Sequence, residues 1–422
     1  MAAILRANPP LRRLLGAWLQ SCLGTGAGYV ALLLLTYRYL HTSWAIAAVL
    51  LCEFLPGIAL GSPFGALADR YSKRRLIVVA NLLQAVAFAG LAFAHTAVPI
   101  LGLALLAGVG NALQRPALRS ALPGVAGGQI QLAAALYDTC RWIGMTAGPA
   151  IAAGLFAISG VALPLALNGL SFLVAAGVIA TIAFGAPPQA ATTEAASSSG
   201  VRAGLSEAFA AWPAVAAVVA CSAGWIVGAG MLNVCEPILA RTVLHGSGSD
   251  YALLVTAYGA GMVTASWLVA RRGSMPTNVL IQRYVGALIL TAVGMGGSAI
   301  VGSVLPAALT FAATGYANAL LVVSETQLIL LRIPSAVQGR LFGAKDTFES
   351  ACILLGLVGA AALVSAAGVR FTLAAGGGFD VVCAIAAVVA FRRDRTAPVV
   401  PRDGESVSLA TTALTGFVRP AS

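Results

Sequence analysis

Four acidic residues interrupt the long apolar stretches that make up most of this 422-residue chain. These residues are Glu53, Asp138, Glu325 and Asp380. A carboxylate at membrane depth is costly, and an unpaired acid in apolar surroundings usually takes up a proton instead of staying charged. The chemistry that this residue type can perform there is reversible protonation, so all four are candidates for proton coupling.

Glu53 shares one face of its apolar stretch with a series of glycines. Gly57, Gly61 and Gly65 follow it at intervals of four residues, which places all of them on one side of a helix. A lipid-facing glutamate has no reason to share a glycine face, so we expect Glu53 to face the interior of a helix bundle. A glutamate held by structural hydrogen bonds is the alternative.

Glu325 and Asp380 lie in the second half of the chain. Asp380 follows three consecutive glycines, and we expect it to oppose Glu53 across an internal two-fold interface. Glu325 shares a helix face with Asn318 and Thr314, and this polar stripe is expected to line a water-filled cavity.

Other polar residues have simpler interpretations. Asp138 and Arg141 are spaced i, i+3, which predicts an ion pair on one helix, with proton transfer by Asp138 as the alternative. Asp346 and Glu349 have the spacing of a capping box and predict the start of a helix at Asp346. Glu236 precedes a proline near the end of an apolar stretch, where water is expected to reach it.

The histidines and cysteines argue against metal or redox chemistry. His41, His95 and His245 all fall between apolar stretches. The seven cysteines fall inside them without a C-x-x-C pair, which predicts buried free thiols. No cofactor, metal or catalytic residue is expected.

Composition identifies the elements that carry these residues. The chain is 59% hydrophobic and only 9% charged, with a mean hydropathy of +0.91. Its apolar stretches of about 18 residues or more can each cross roughly 30 Å of hydrocarbon as a helix. Its 47 glycines allow helices to approach closely. The sequence therefore predicts an all-α integral membrane protein, and the lack of polar faces at helical spacing excludes a soluble helical solenoid.

The apolar stretches divide into twelve spans in two sets of six. The predicted spans are near 14–37, 44–67, 76–94, 97–114, 131–157, 161–184, 213–240, 251–270, 278–302, 304–328, 346–367 and 371–391. We expect an amino-terminal bundle at 1–186, a flexible cytoplasmic linker at 187–212, a carboxy-terminal bundle at 213–391 and a polar cytoplasmic tail at 392–422.

The basic residues determine the expected orientation. The formal charge is +11, but the Lys and Arg residues form short clusters between spans, which is typical of a membrane protein and not of a nucleic-acid partner. All of them except Arg38, Arg241 and Arg370 fall on one side of the twelve-span arrangement. The positive-inside rule therefore places both termini in the cytoplasm.

The loop after the second span carries a glycine and several charges at fixed spacing. It reads Gly65-Ala-Leu67-Ala-Asp69-Arg70-Tyr-Ser-Lys73-Arg74-Arg75-Leu76. It resembles the signature G-x-L-a-D-r-x-G-r-k-x-x-l of the major facilitator superfamily, with Ser72 in place of the second glycine. The resemblance implies two pseudo-symmetric six-helix bundles, and a loop that latches the cytoplasmic side in the outward-open state. Gly65 is expected to permit close helix contact.

The fifth span contains a second motif. Gly144-Met-Thr-Ala-Gly148-Pro149-Ala-Ile-Ala-Ala-Gly154 resembles the antiporter signature of the superfamily, which marks exporters more than importers, although the terminal glycine pair is reduced to Gly154. Ordinary packing of small residues is the alternative. Arg115-Pro-Ala-Leu-Arg119-Ser-Ala-Leu-Pro123 and Leu167-Asn168-Gly-Leu-Ser171-Phe172 resemble the branch that includes enterobactin exporters and multidrug pumps.

These resemblances imply a secondary transporter in the bacterial cytoplasmic membrane. Its expected activity is proton-coupled export of an amphipathic small molecule, such as a drug, a siderophore or another secreted metabolite. Its expected partners are membrane lipid, the substrate and the proton gradient, and a functional monomer is expected. No phosphate-binding loop is present to provide ATP drive. The alternatives are solute uptake, lysolipid flipping, an intramembrane enzyme and a sensor without transport. The sequence shows no catalytic constellation that would support the enzyme.

Overall fold

The computed structural model describes residues 8–184, 213–272, 275–332 and 335–394. All regular structure in these ranges is helical, and eleven of the described helices are long and apolar enough to cross a membrane. The last one, Ser335–Asp394, is broken at Gly368, which has φ 83° and ψ 168°, so it contains two spans. The prediction of twelve transmembrane helices is confirmed for these ranges. The predicted linker at 187–212 and residues 395–422 of the predicted tail lie outside them.

The helix bounds follow the predicted spans closely. The first six helices are α1 Pro9–Leu40, α2 Ser43–Arg70, α3 Lys73–Leu91, α4 Ala97–Val125, α5 Ile130–Ser159 and α6 Ala162–Ala180. The next four are α7 Pro213–Ile238, which continues into a π-helical turn at Leu239–Val243, α8 Gly248–Arg272, α9 Thr277–Ile300 and α10 Val304–Arg332. We label the parts of Ser335–Asp394 before and after Gly368 as α11 and α12.

Two predicted boundaries are wrong. α4 does not end near residue 114 but runs through Pro116 and Pro123, because each proline removes only one backbone donor while buried residues such as Leu118 hold the helix in the core. α11 begins at Ser335, well before Asp346, because residues 335–345 extend the helix beyond the apolar stretch. The capping-box interpretation of Asp346 and Glu349 is therefore also wrong.

The helices pack into two bundles with the same internal pattern. In the first bundle α1 packs on α5 and α6, α2 on α4, and α3 on α4 and α6. In the second bundle α7 packs on the α11–α12 hairpin, α8 on α10, and α9 on α10 and α12. The bundles meet through α5 with α8 and through α2 with α11. This repetition is the two-bundle architecture that the sequence predicted.

The apolar cores show which side of the molecule is closed. We call the membrane side at which α1 begins the near side, and the opposite side the far side. One core spans both bundles at the far side and includes Leu34, Ile46 and Tyr251. On the near side each bundle has its own core, around Leu118 in the first and Tyr284 in the second. The bundles are therefore joined at the far side and separated at the near side, where a cavity opens between them.

Two hydrogen bonds between the bundles mark the closed far side. The Ser43 hydroxyl of α2 donates to the Ala361 carbonyl of α11 at 2.9 Å, and the Ser249 hydroxyl of α8 donates to the Ala153 carbonyl of α5 at 2.8 Å. Both bonds lie at the helix ends farthest from the near side. They hold both pairs of helices that form the interface between the bundles.

Candidate functional site

A cluster of acids and tyrosines lies where the near-side cavity meets the shared far-side core. Tyr29 of α1 and Glu53 of α2 come from the first bundle, and Glu236 of α7 and Tyr258 of α8 come from the second. Tyr29 lies within electrostatic range of both carboxyl groups and of Tyr258. The cluster therefore joins titratable groups from both bundles at one point of their interface.

Glu53 is half-buried and is positioned by the contact between α2 and α4. A Cβ atom added at Gly108 of α4 would lie 3.0 Å from the Glu53 Cα atom, so only a glycine allows this approach. The close helix contact expected at Gly65 is absent from the described structure. A Cβ added at Gly57, Gly61 or Gly65 would have no atom within 4 Å, so this face of α2 is open.

Glu236 is the acid whose placement was predicted incorrectly. It is only 5% exposed, so water does not reach it freely. The Tyr251 hydroxyl of α8 lies close to its carboxyl group, and that hydroxyl has no hydrogen-bond partner that meets normal geometry in the described structure. The Glu-Pro pair inside an apolar stretch was the available signal. It did not reveal that α8 covers the acid.

The predicted polar stripe of α10 does not line a single cavity. Asn318 donates to the Tyr258 hydroxyl of α8. Thr314 is buried, donates to the Thr310 carbonyl at 2.9 Å and packs against Gly294 of α9. The three polar residues share a face, but that face is covered by α8, α9 and α11 in turn. Only Asn318 reaches the central cluster.

Glu325 is buried and paired with Lys345, a residue that was not predicted from the sequence. Lys345 of α11 lies 3.4 Å from the Glu325 carboxylate and 2.5 Å from that of Glu349, one turn further along α11. The i, i+4 spacing of Lys345 and Glu349 was the available signal. This triad binds α10 to α11 on the near side of the second bundle.

Asp380 lies inside the second bundle and does not oppose Glu53 at the interface. It is fully buried, and neither carboxyl oxygen has a hydrogen-bond partner in the described structure. A Cβ added at Gly228 of α7 would lie 3.6 Å from one of these oxygens, and Met295 of α9 lies close to the same glycine. The expected pairing failed because α12 packs on α7 and α9, away from the first bundle.

The predicted ion pair on α5 is absent from the described structure. Asp138 is exposed and makes no ion pair, and the guanidinium group of Arg141 lies 5.3 Å from the ring centre of Trp142. Arg141 lies within electrostatic range of Arg115 and Tyr137. The i, i+3 spacing permitted the pair but did not enforce it.

The two resemblance motifs occupy different environments. Gly144 and Gly148 of α5 pack directly on α1, where a Cβ added at Gly148 would lie 2.6 Å from the Leu23 carbonyl oxygen. Pro149 is buried beside them, whereas Gly154 faces open space. In the predicted gating loop, α2 ends at Arg70 and α3 begins at Lys73, which is followed by Arg74. The side chain of Asp69 lies outside the described structure.

Seven free thiols are buried or half-buried, as the sequence predicted. The described residues contain no group of three or more potential metal ligands.

Twelve helices in two equivalent bundles around a one-sided cavity define a membrane transporter with the fold of the major facilitator superfamily. The chain belongs to the family described as transmembrane secretion effector, whose model matches residues 7–411. No curated protein shows significant similarity to it.

Solved transporters share this fold at low sequence identity. A bacterial homologue of the human lysosomal transporter Spinster, in an inward-facing and unoccupied conformation, is 15% identical over 92% of this chain and 99% of its own, with a TM-score of 0.66. The nucleoside transporter NupG is 17% identical over 91% and 99%, with a TM-score of 0.69. The human organic anion transporter MFSD10 is 14% identical over 90% and 100%, with a TM-score of 0.61.

Proposed function

We propose that this protein exports an amphipathic small molecule from the bacterial cytoplasm in exchange for protons. The observation that carries the proposal is the cluster of Tyr29, Glu53 and Glu236 at the junction of the two bundles. Titratable groups that belong to both bundles can couple their protonation to the relative movement of those bundles.

The near side is assigned to the cytoplasm. The basic clusters between spans fall on this side, as the positive-inside rule requires. The cavity then opens inward, where an exporter collects its substrate. The description of the family as a secretion effector supports the outward direction of transport.

Glu53 is the proposed proton carrier because it combines partial access with an apolar setting. It is half-buried at the inner end of the cavity, and no lysine or arginine forms an ion pair with it in the described structure. A proton taken from outside in the outward-open state would be released to the cytoplasm in the present state. Glu236 is the second candidate, since Tyr29 interacts with both acids.

The other acids have less suitable surroundings for this role. Lys345 neutralises Glu325, which favours a fixed structural or gating pair. Asp138 is exposed on α5, and Asp380 is sealed inside the second bundle. They become the candidate proton carriers only if replacement of Glu53 and Glu236 leaves proton coupling intact.

The test uses everted membrane vesicles that contain the wild-type protein, Glu53→Gln or the control Asp346→Asn, which changes an exposed acid of α11. Three amphipathic dyes of different charge serve as probes: ethidium, N-phenyl-1-naphthylamine and 1-anilinonaphthalene-8-sulfonate. We expect at least one dye to accumulate with counterflow of protons in wild type and control, and Glu53→Gln to abolish the counterflow. Accumulation that survives collapse of the proton gradient contradicts the proposal.

A further inference from the structure

Three arginines on the near side of the first bundle have no acidic partner among the described residues. Arg115 and Arg119 lie one turn apart on α4, and Arg141 lies on α5. All three interact with Tyr137, and both Arg119 and Arg141 interact with Arg115. None of them forms an ion pair with a described residue. Like charges that converge without a counter-ion repel one another, so such an arrangement is stable only when something else compensates it.

The depth of the cluster separates it from ordinary loop charges. At a rise of 1.5 Å per residue, Arg115 lies about 15 Å from the near-side end of α4, and Arg141 lies about 16 Å from the near-side end of α5. The positive-inside rule accounts for basic residues at helix ends, and it could account for Arg119. Arg115 and Arg141 lie more than two helical turns from these helix ends, so they are not loop charges.

The side chains of the three arginines are accessible to solvent. Arg115 and Arg119 are exposed and Arg141 is half-exposed, although protein atoms surround Arg115 on most sides. Behind Arg141 lies the buried Cys22 of α1. The three side chains therefore lie together near α1, α4 and α5 on the near side of the first bundle.

Aromatic rings border the same region. Trp18 of α1 stacks on Tyr137 with ring centres 4.7 Å apart, and its indole nitrogen donates to the Tyr137 carbonyl at 3.0 Å. Trp142 lies beside Arg141 and is exposed. A planar guanidinium fork next to aromatic surface suits a ligand that has both an acidic group and an apolar ring.

We infer that Arg115, Arg119 and Arg141 form a binding site for the acidic group of an amphipathic organic anion. The site takes a carboxylate, sulfonate or phosphate group, and the aromatic surface of Trp142 receives the apolar body. The inference rests on the proposed export function, because it names the substrate class that the cavity collects. Asp138 is the acid nearest to Arg141 along α5, and it is exposed. One exposed carboxylate that forms no ion pair in the described structure does not neutralise three arginines.

The test is a binding measurement without any gradient. Purified protein is placed in nanodiscs of zwitterionic lipid and titrated with 1-anilinonaphthalene-8-sulfonate or with N-phenyl-1-naphthylamine, which has the same rings without the sulfonate. Energy transfer from tryptophan to the probe reports occupancy. The variants are Arg115→Gln, Arg141→Gln and Arg141→Lys. The control is Arg271→Gln, because Arg271 also stacks on a tryptophan at the near side but belongs to α8.

We expect wild type to bind the sulfonate at least about tenfold more tightly than the neutral probe, since hydrogen bonds to a charged group contribute that much discrimination. Arg115→Gln and Arg141→Gln should each remove most of this preference, Arg141→Lys should keep part of it, and Arg271→Gln should keep all of it. Equal binding of both probes by wild type overturns the inference even if a variant fails to fold.

A lipid headgroup is the other source of such an anion. Nanodiscs that contain phosphatidylglycerol distinguish the two sources. Competition by this lipid that removes the sulfonate preference in wild type would assign the arginines to lipid and overturn the substrate assignment. Dye transport by wild-type vesicles would still stand in that case, so failure of this inference differs from failure of the export proposal.

Discussion

Asn168 of α6 and Asp380 of α12 occupy equivalent places in the two bundles. Both are fully buried, and each lies against a glycine of the first helix of its bundle, Gly28 or Gly228. Three residues later, Ser171 and Cys383 lie against the glycine four residues earlier in the same helix, Gly24 or Gly224. The two places differ in one respect, because the first holds an amide that cannot ionise and the second holds a carboxyl group.

This equivalence predicts that Asp380→Asn is tolerated. The amide fits the same surroundings in the first bundle, so the unfolding temperature should stay the same or rise. Asn168→Asp should lower the free energy of unfolding by about 1–3 kcal/mol, because it buries a second carboxyl group to which only the Ser171 hydroxyl donates among the described residues. Thermal unfolding in detergent measures both changes. Loss of proton counterflow in well-folded Asp380→Asn would move the coupling role from Glu53 to Asp380.

The triad of Glu325, Lys345 and Glu349 predicts that the stability of the protein depends strongly on Lys345, the central cation. Lys345→Met should destabilise the protein by about 3–5 kcal/mol, because it leaves a buried carboxylate uncompensated. The exchange Glu325→Lys with Lys345→Glu should recover part of that loss. The fraction of folded protein after extraction, measured by fluorescence size exclusion, checks both variants. A folded, active Lys345→Met would show that Glu325 is already neutral.

The packing of α5 on α1 predicts different effects at two glycines of the same helix. Gly148→Ala should impair folding, because its Cβ would meet the α1 backbone, where Leu23 and Ala27 cannot move aside cheaply. Gly154→Ala meets no atom and should be neutral or stabilising by about 0.5–1 kcal/mol. Gly160 is a poorer control, since its φ of 67° disfavours any side chain. Equal yields of folded protein from both variants would contradict the packing argument.

The far-side hydrogen bonds predict a shift in conformation. Ser43→Ala and Ser249→Ala each remove a bond worth about 1 kcal/mol, which changes the ratio of near-open to near-closed molecules about fivefold. Labelling of the half-buried Cys140 by a membrane-impermeant maleimide in everted vesicles should slow accordingly. Ser365→Ala, which removes a bond within α11 only, serves as the control. An unchanged rate in both interface variants would show that these bonds do not hold the far side closed.

The sequence predicted the spans well and the contacts between them poorly. Each span is long and apolar, so hydropathy alone identifies it, and only the ends of α4 and α11 were misplaced. The central cluster depends on how α8 lies over α7. No spacing within one helix reveals that Tyr251 covers Glu236 or that Tyr29 meets Glu53. Lys345 was missed for the same reason, because its main partner, Glu325, lies on another helix.

The single-residue break at Gly368 has a mechanical consequence. Its φ of 83° lies in a region that side chains rarely adopt, so the chain reverses there without a connecting loop. No slack separates α11 from α12, and one helix cannot tilt without displacing the end of the other. α11 contacts the first bundle through Ala361, and α12 carries Asp380. A movement of the interface between the bundles is therefore transmitted by the rigid connection at Gly368 to the interior of the second bundle.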